Sequence, residues 1–499
     1  MPIAPQLKRA RVNWTLTWVG LALSVSVPAA MAVEATSDKV LAQQVQKLLD
    51  RVAQLEQRNQ SLERRVEDLS KAAVPPAVAA GSGNGDLADS RLKSIEQQQQ
   101  NLEQQVQALA RPLEPDEEAG GEGPTFGASL LGVYQQVNKK GSDSGSSQGR
   151  FNYRGDVTAS LPAGSIGDAR GLAFGQLRFG QGGGVALRPT HTGTVNSTTF
   201  EAAAGSDQTY AIVAQVYYQL EWPLDGGRFN DQASSRVEMT LGKLDIFAFF
   251  DQNAVAGDEG ASFLNNVFVH NPMLDSGGDI GADAYGFAPG ARAAYFGEAD
   301  EFSWGASVGV FASGDGAKFS ASPGQPLVIA QAQVSPKQIN GESRGSYRVY
   351  AWSNGRTTDF EGREQRHTGI GLSVDQRVGS EWNLFGRYGQ RTSGHAAFDR
   401  ALTVGFEHGG RLWGRGRDAV GLAVGSLSTS SEWRRATAAD NTLVGFRSSG
   451  QERIAELYYR LTLNDKLAIT PDFQLIHRPG GDGRAPTARV FGVRASLSF

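Results

Sequence analysis

From Gly127 to the C-terminus, apolar residues recur at every second position, segment after segment. The final stretch, ARVFGVRASLSF (Ala488–Phe499), places Phe491, Val493, Ala495, Leu497 and Phe499 on one face and Gly492, Arg494, Ser496 and Ser498 on the other. That period of two is a β-strand with one apolar and one polar side. Tyr210, Ile212, Ala214, Val216, Tyr218, Leu220 and Trp222 alternate with Gln215, Tyr217, Gln219 and Glu221. Ile370, Leu372 and Val374 alternate with Ser373, Asp375 and Arg377 in the same way. One such strand suits a soluble sheet equally well. Its repetition in segments of about ten residues is the pattern of a transmembrane barrel.

The N-terminus bears on destination. Lys8, Arg9 and Arg11 precede an apolar run from Trp14 to Val27, and Ala30-Met31-Ala32 is a small-x-small cleavage site. Residues 1–32 read as a secretory signal peptide, with an apolar core short for a membrane span. No later stretch is apolar for the ~20 residues a transmembrane helix needs. The chain has no cysteine, which excludes disulfides and thiolate chemistry. Removing the three signal cations takes the formal charge from −4 to −7, which gives no reason to expect nucleic acid as a partner. A closed β-barrel is the membrane architecture still open.

Between signal and strands the period is helical. Leu41, Val45, Leu48, Val52, Leu55, Asn59, Leu62, Val66 and Leu69 recur at strict four-three spacing. Residues 33–72 therefore read as an α-helical coiled-coil stalk, with a heptad stripe roughly 43 Å long at 1.5 Å per residue. A single amphipathic helix on a globular core would have a broader stripe. Valine at a and leucine at d lean toward a dimer, and Asn59 at an a position fixes register. Residues 73–86 are a Pro/Gly-rich linker, 87–111 a second, weaker heptad run, 112–125 a linker, and 126–499 the barrel.

Strand starts read from the alternation lie near 126, 150, 170, 209, 235, 285, 302, 326, 345, 366, 382, 399, 417, 452, 466 and 487. Sixteen is even, as bacterial barrels require. With both ends on the periplasmic side, the long connections (138–149, 182–208, 244–284, 314–325 and 428–451) all fall outside. The shortest, near 298–301, 378–381 and 464–465, fall inside. The fold class is all-β: a 16-stranded antiparallel transmembrane barrel preceded by a coiled coil. Tyr134, Trp222, Trp382, Tyr459 and Phe499 sit where interfacial aromatic girdles belong.

A barrel of this size encloses an aqueous lumen. The inward set is Arg348, Tyr350, Trp352, Asp375, Arg377, Arg387, Arg391, Asp472 and Arg494. Planar donors and ring faces suit a neutral polyol, the same arginines could favour anions, and a lumen also needs charges merely to be wet. The third outer loop, 244–284, carries Phe247, Phe249, Phe250, Phe263 and Phe268, more rings than an exposed loop holds. We expect it to fold inward and narrow the pore, with Asp251, Gln252, Asn253, Asp258, Glu259 and Asn265 as constriction candidates. Packing on neighbours at the barrel mouth is the alternative.

The run FFDQNAVAGDEGASFLNN, the segment YRVYAWSNGR (347–356) and the ending AELYYRLTLNDKLAITPDFQLIHRPGG…VFGVRASLSF resemble the OprB-type carbohydrate-selective porins. The likeness covers residues 210–499 well and 126–209 weakly. It implies a sixteen-stranded channel set in outer-membrane lipid that passes sugars by diffusion, commonly as a trimer. Trimerisation would overrule the dimer preference of the heptads. The stalk, placed in the periplasm, departs from the plain family pattern and looks like the extension of sucrose-type porins.

An enzyme needs a constellation. The six histidines are scattered without metal-ligand spacing, and no Ser/His arrangement or phosphate loop stands out, so we expect no catalytic residues, metal or cofactor. Two other readings remain: an anion or general diffusion porin, and a structural barrel whose stalk tethers the outer membrane to the cell wall.

Overall fold

A computed structural model describes residues 123–199, 209–224, 235–275, 286–313, 325–337 and 344–499. The signal, stalk and linker expectations, including every heptad position from Leu41 to Leu69, lie outside the described residues.

Sixteen strands follow in order: β1 (Thr125–Val137), β2 (Gln148–Ile166), β3 (Ala169–Gln181), β4 (Tyr210–Pro223), β5 (Ser235–Asp245), β6 (Phe287–Glu298), β7 (Phe302–Phe311) and β8 (Leu327–Pro336). Then come β9 (Gly345–Thr358), β10 (Glu364–Val378), β11 (Trp382–Ser393), β12 (Phe398–Gly409), β13 (Ala419–Thr429), β14 (Gln451–Thr462), β15 (Leu467–His477) and β16 (Ala488–Ser498). Each begins within two residues of the position read from the alternation. Every strand pairs antiparallel with its sequence neighbours. The sheet closes where β1 meets β16, Ser129 opposite Ser498 and Gln136 opposite Phe491. Closure leaves no open edge, which a lipid environment demands.

The outer surface is apolar: Leu130, Leu177, Leu241, Val349, Leu402, Val424, Leu457 and Phe491 are all exposed. Phe499, 67% exposed, ends this face as expected. Trp382 packs on Phe406 (ring centroids 5.1 Å apart), and Trp413 donates to the Tyr459 hydroxyl at 3.0 Å, giving the inner rim its aromatic side chains.

One strand departs from simple alternation. In β4 the register to β3 slips by one, Gln176 facing Gln215 but Leu177 facing Val213, so Ala214 is an extra bulged residue. Val213 and Val216 therefore both point to the lipid side. Tyr210 and Ile212, expected on that side, turn to the other; Ile212 stands opposite Arg178.

The buried apolar core lies where the third outer loop meets the wall. Phe250, Val255, Phe263, Val267, Phe268, Met273 and Leu274 from the loop cluster with Ile329, Tyr350, Trp352, Phe385, Leu427, Ile454 and Tyr458 from the strands. The loop folds inward, as its phenylalanines suggested.

Candidate functional site: the lumen and the loop across it

The third outer loop, described over 246–275, leaves β5 through a single 3-10 turn, Ile246–Ala248, capped by Asp245, whose side chain accepts from the Phe247 N–H. Phe250 then meets Phe311 edge-on at 6.1 Å. Gly309 makes this possible, because a Cβ there would lie 2.5 Å from Phe311 and 2.8 Å from Phe250. Gly389 does the same for Asn271 and Met273. Glycines on the inner wall are the sockets for this loop.

Polar anchors fix it in place. Asp251, held at φ 56°, accepts from the Tyr350 hydroxyl (2.7 Å), Arg387 Nε (3.2 Å) and the Asn271 N–H (2.6 Å). Asn253 donates to the Val374 carbonyl of β10. Asn265 caps the short helix α1 (Asn266–Val269) and donates to Gln474 of β15. The Glu456 carboxylate on β14 accepts from the Leu264 and Asn265 N–H groups at 2.6 and 3.0 Å. Arg387 donates to the Phe268 carbonyl, and Arg494 to those of Glu259 (2.6 Å) and Ser262 (3.0 Å). One loop thus spans from β9–β11 to β14–β16.

The second outer loop, described over 182–199, enters the lumen as well. Buried Glu452 on β14 accepts from Thr190 Oγ1, the N–H groups of His191 and Thr192, Thr192 Oγ1, and the Gly480 N–H of the eighth loop. Asn152 and Asn196 pair at 2.7 Å, and the Ser197 N–H reaches the Leu264 carbonyl.

These contacts revise the sequence-derived pore set. Arg494, expected to face lumen water, points inward but is 1% exposed beneath the third loop. Asp251, Asn253, Asn265, Arg387, Arg391 and Asp472 are buried too. Tyr350 and Trp352 lie flat over Gly371 and Gly369, their cross-strand partners, so their ring faces are covered rather than open to a solute. Arg348 pairs with Asp375 at 2.9 Å, both buried in the wall. Of the remaining nominees, Asp258 and Arg377 are exposed, whereas Gln252 and Glu259 are half-buried.

The charged and aromatic wall of β2–β6 was not nominated from sequence. Arg154 bridges Glu259 of the third loop (2.7 Å) and Asp156 (3.3 Å); Arg178 and Gln176 also donate to Asp156, each at 2.7 Å. Glu238 holds Arg292 at 2.8 Å and Arg236 at 3.0 Å. Between these clusters run aromatic rings: Phe174 stacks on Tyr217 at 4.8 Å, Tyr217 meets Phe249 edge-on, and Arg292 lies over both Phe249 and Phe296. The polar-face period of β2, β3, β5 and β6 contained most of these positions, whereas the bulge in β4 obscured the rest. Phe247 and His270 stack at 3.7 Å, with His270 Nδ1 2.9 Å from Asp275. Burial works to raise the Glu259 carboxyl, but the Arg154 and Arg178 guanidiniums outweigh it and hold it at about 2. Burial lowers His270, yet the Asp275 hydrogen bond and charge leave its imidazole above the ordinary value. Among the described residues no group of His, Asp and Glu is arranged to hold a metal ion.

A barrel of this topology, its lumen crossed by the third loop, matches known proteins. Residues 179–499 match the family model of the carbohydrate-selective porin, OprB family. The chain belongs to that family. Porin B of Pseudomonas aeruginosa is 24% identical over 216 residues, covering 38% of this chain and 47% of that protein. Porin AaxA of Chlamydia pneumoniae is 25% identical over 168 residues, 34% of this chain and 35% of AaxA. The chain spans less than two thirds of the length of the curated relatives it matches. The high-pH structure of Pseudomonas putida OprB shares the fold at a TM-score of 0.57 and 18% identity, covering 77% of this chain and 96% of that one.

Proposed function

We propose that this chain is an outer-membrane porin and not an enzyme, admitting carbohydrates and other small hydrophilic solutes by passive diffusion. The observation that carries the reading is the third loop lying across the lumen opposite the β2–β6 wall. That wall alternates fork-shaped guanidiniums and carboxylates with aromatic faces, the groups that meet hydroxyls and the C–H surface of a sugar. Its arginines are answered by Asp156, Glu238 and Glu259, which favours neutral solutes over the anion-porin reading. The test is liposome swelling and single-channel conductance of the full chain with glucose, sucrose or phosphate added. Sugar permeation or block supports the proposal; permeation of phosphate alone overturns it.

Of the nominated pore residues, Gln252, Asp258, Glu259 and Arg377 reach solvent and are the ones we assign to solute contact. The heptads at 33–72 support a periplasmic coiled-coil stalk that joins copies of the chain, as a trimer if the barrel follows its family. Sedimentation of the full chain and of a 33–111 deletion tests this: equal oligomeric mass would sink it. Envelope defects with normal sugar flux in the deletion strain would favour the cell-wall tether instead.

A further inference from the structure

Two arginine clusters at the rims of the barrel differ in their partners. At the inner rim below β11–β15, Arg411 lies 3.2 Å from Glu381, Arg415 2.5 Å from Asp418, and Arg417 pairs with Asp465. At the outer rim from β14 to β1, cations gather outside ion pairs. Arg453 of β14 stands opposite His477 of β15, and Arg489 of β16 opposite Leu475, so a row crosses three neighbouring strands about 4.8 Å apart. Arg453 shares its side of β14 with Leu457, and Arg489 its side of β16 with Phe491, both exposed on the lipid face. The first and eighth loops extend the row with Lys139, Lys140, Arg478 and Arg484, all exposed. The first loop is pinned beside Arg489, whose N–H donates to Asn138 Oδ1. No ion pair joins any of these six cations to a described carboxylate. Immediately below lie the exposed apolar side chains Leu457, Phe473 and Phe491.

Unpaired cations above a lipid-facing apolar wall complement an amphiphile with a phosphate head. We propose that the outer face of β14–β16, with the first and eighth loops, binds a phosphorylated lipid of the outer leaflet. Arg453 and Arg489 form charge-assisted hydrogen bonds to its phosphate, and Leu457, Phe473 and Phe491 cover its acyl chains. The inference rests on the outer-membrane orientation proposed above.

The test uses the full chain in neutral maltoside micelles, titrated with diphosphorylated lipid A or its phosphate-free form, with bound lipid read by native mass spectrometry. The Arg453→Gln/Arg489→Gln double variant should bind the diphosphorylated lipid roughly ten- to thirtyfold more weakly, given about a fivefold effect per interfacial cation. The inner-rim pair Arg411→Gln/Arg415→Gln should bind it as wild type does. Two results overturn the proposal: equal binding by the outer-rim variant with its barrel intact by heat-shifted gel mobility, or equal binding of the phosphate-free lipid. Glucose swelling rates, measured in parallel, read the channel alone. A failure of the porin proposal is thereby separated from a failure of the lipid site.

Discussion

Asp251 of the third loop and Arg387 of β11 form an ion pair, Nε to Oδ1 3.2 Å, with both side chains almost wholly closed to water. Removing one partner of a buried pair strands the other charge and costs about 3–5 kcal/mol, more than the pair itself contributes. Arg387→Ala should therefore release the loop from β9–β11 and raise single-channel conductance. Asp251→Ala/Arg387→Ala should be less destabilised than the sum of the single variants. Strict additivity in denaturant unfolding would show that the two charges are not coupled.

How much was visible beforehand depends on range. Strand number and starts are written locally, in alternation and turn spacing, and so were read to within two residues. The inward fold of the third loop was legible from Phe250, Phe263 and Phe268, rings with nowhere else to go. Which wall receives the loop was not, because its sockets are absences: Gly309 and Gly389 carry no pattern of their own. The second loop gave no warning, since Asn196 and the backbone at His191 and Thr192, rather than rings, hold it. Burial of Arg387 and Arg494 followed from those docked loops, so alternation named the correct face and the wrong environment.

The glycine sockets predict an asymmetry. A Cβ on Gly389 would sit 2.3 Å from Asn271 Oδ1 and 2.7 Å from Met273 Cγ, whereas one on Gly175 meets nothing within 4 Å. Gly389→Val should overpack the seam by about 1–3 kcal/mol and lift the loop, and Gly175→Ala should be silent. Single-channel recordings separate the two, with larger or noisier openings expected only for Gly389→Val.

Glu452 ties the second and eighth loops to β14 through five donors. Glu452→Gln keeps the shape but replaces one acceptor oxygen with a donor, leaving N–H groups unsatisfied at about 1–3 kcal/mol. Proteinase K should then cut the second loop between Val185 and Val195 several times faster than in wild type. An unchanged cleavage rate would mean that Asn152 and Gln135 suffice to hold that loop.

The third loop should respond to pH in opposite senses at His270 and at Glu259. His270 is raised above its ordinary 6.5, burial opposing but Asp275 prevailing. Its stabilisation is full below 6.5 and is lost as pH rises through the folded value. Glu259 is depressed from 4.5 to about 2, so its contribution is present above 4.5 and is lost as pH falls toward about 2. The loop is therefore tightest between the two ranges, loosening first near Phe247 and His270 in alkali and near Arg154 only in strong acid. Hydrogen exchange of amides 258–275 against pH should show both limbs. His270→Phe, which keeps a ring against Phe247, should abolish the alkaline limb alone, and Glu259→Gln the acid limb alone. An alkaline limb that survives His270→Phe would assign the loosening to another group.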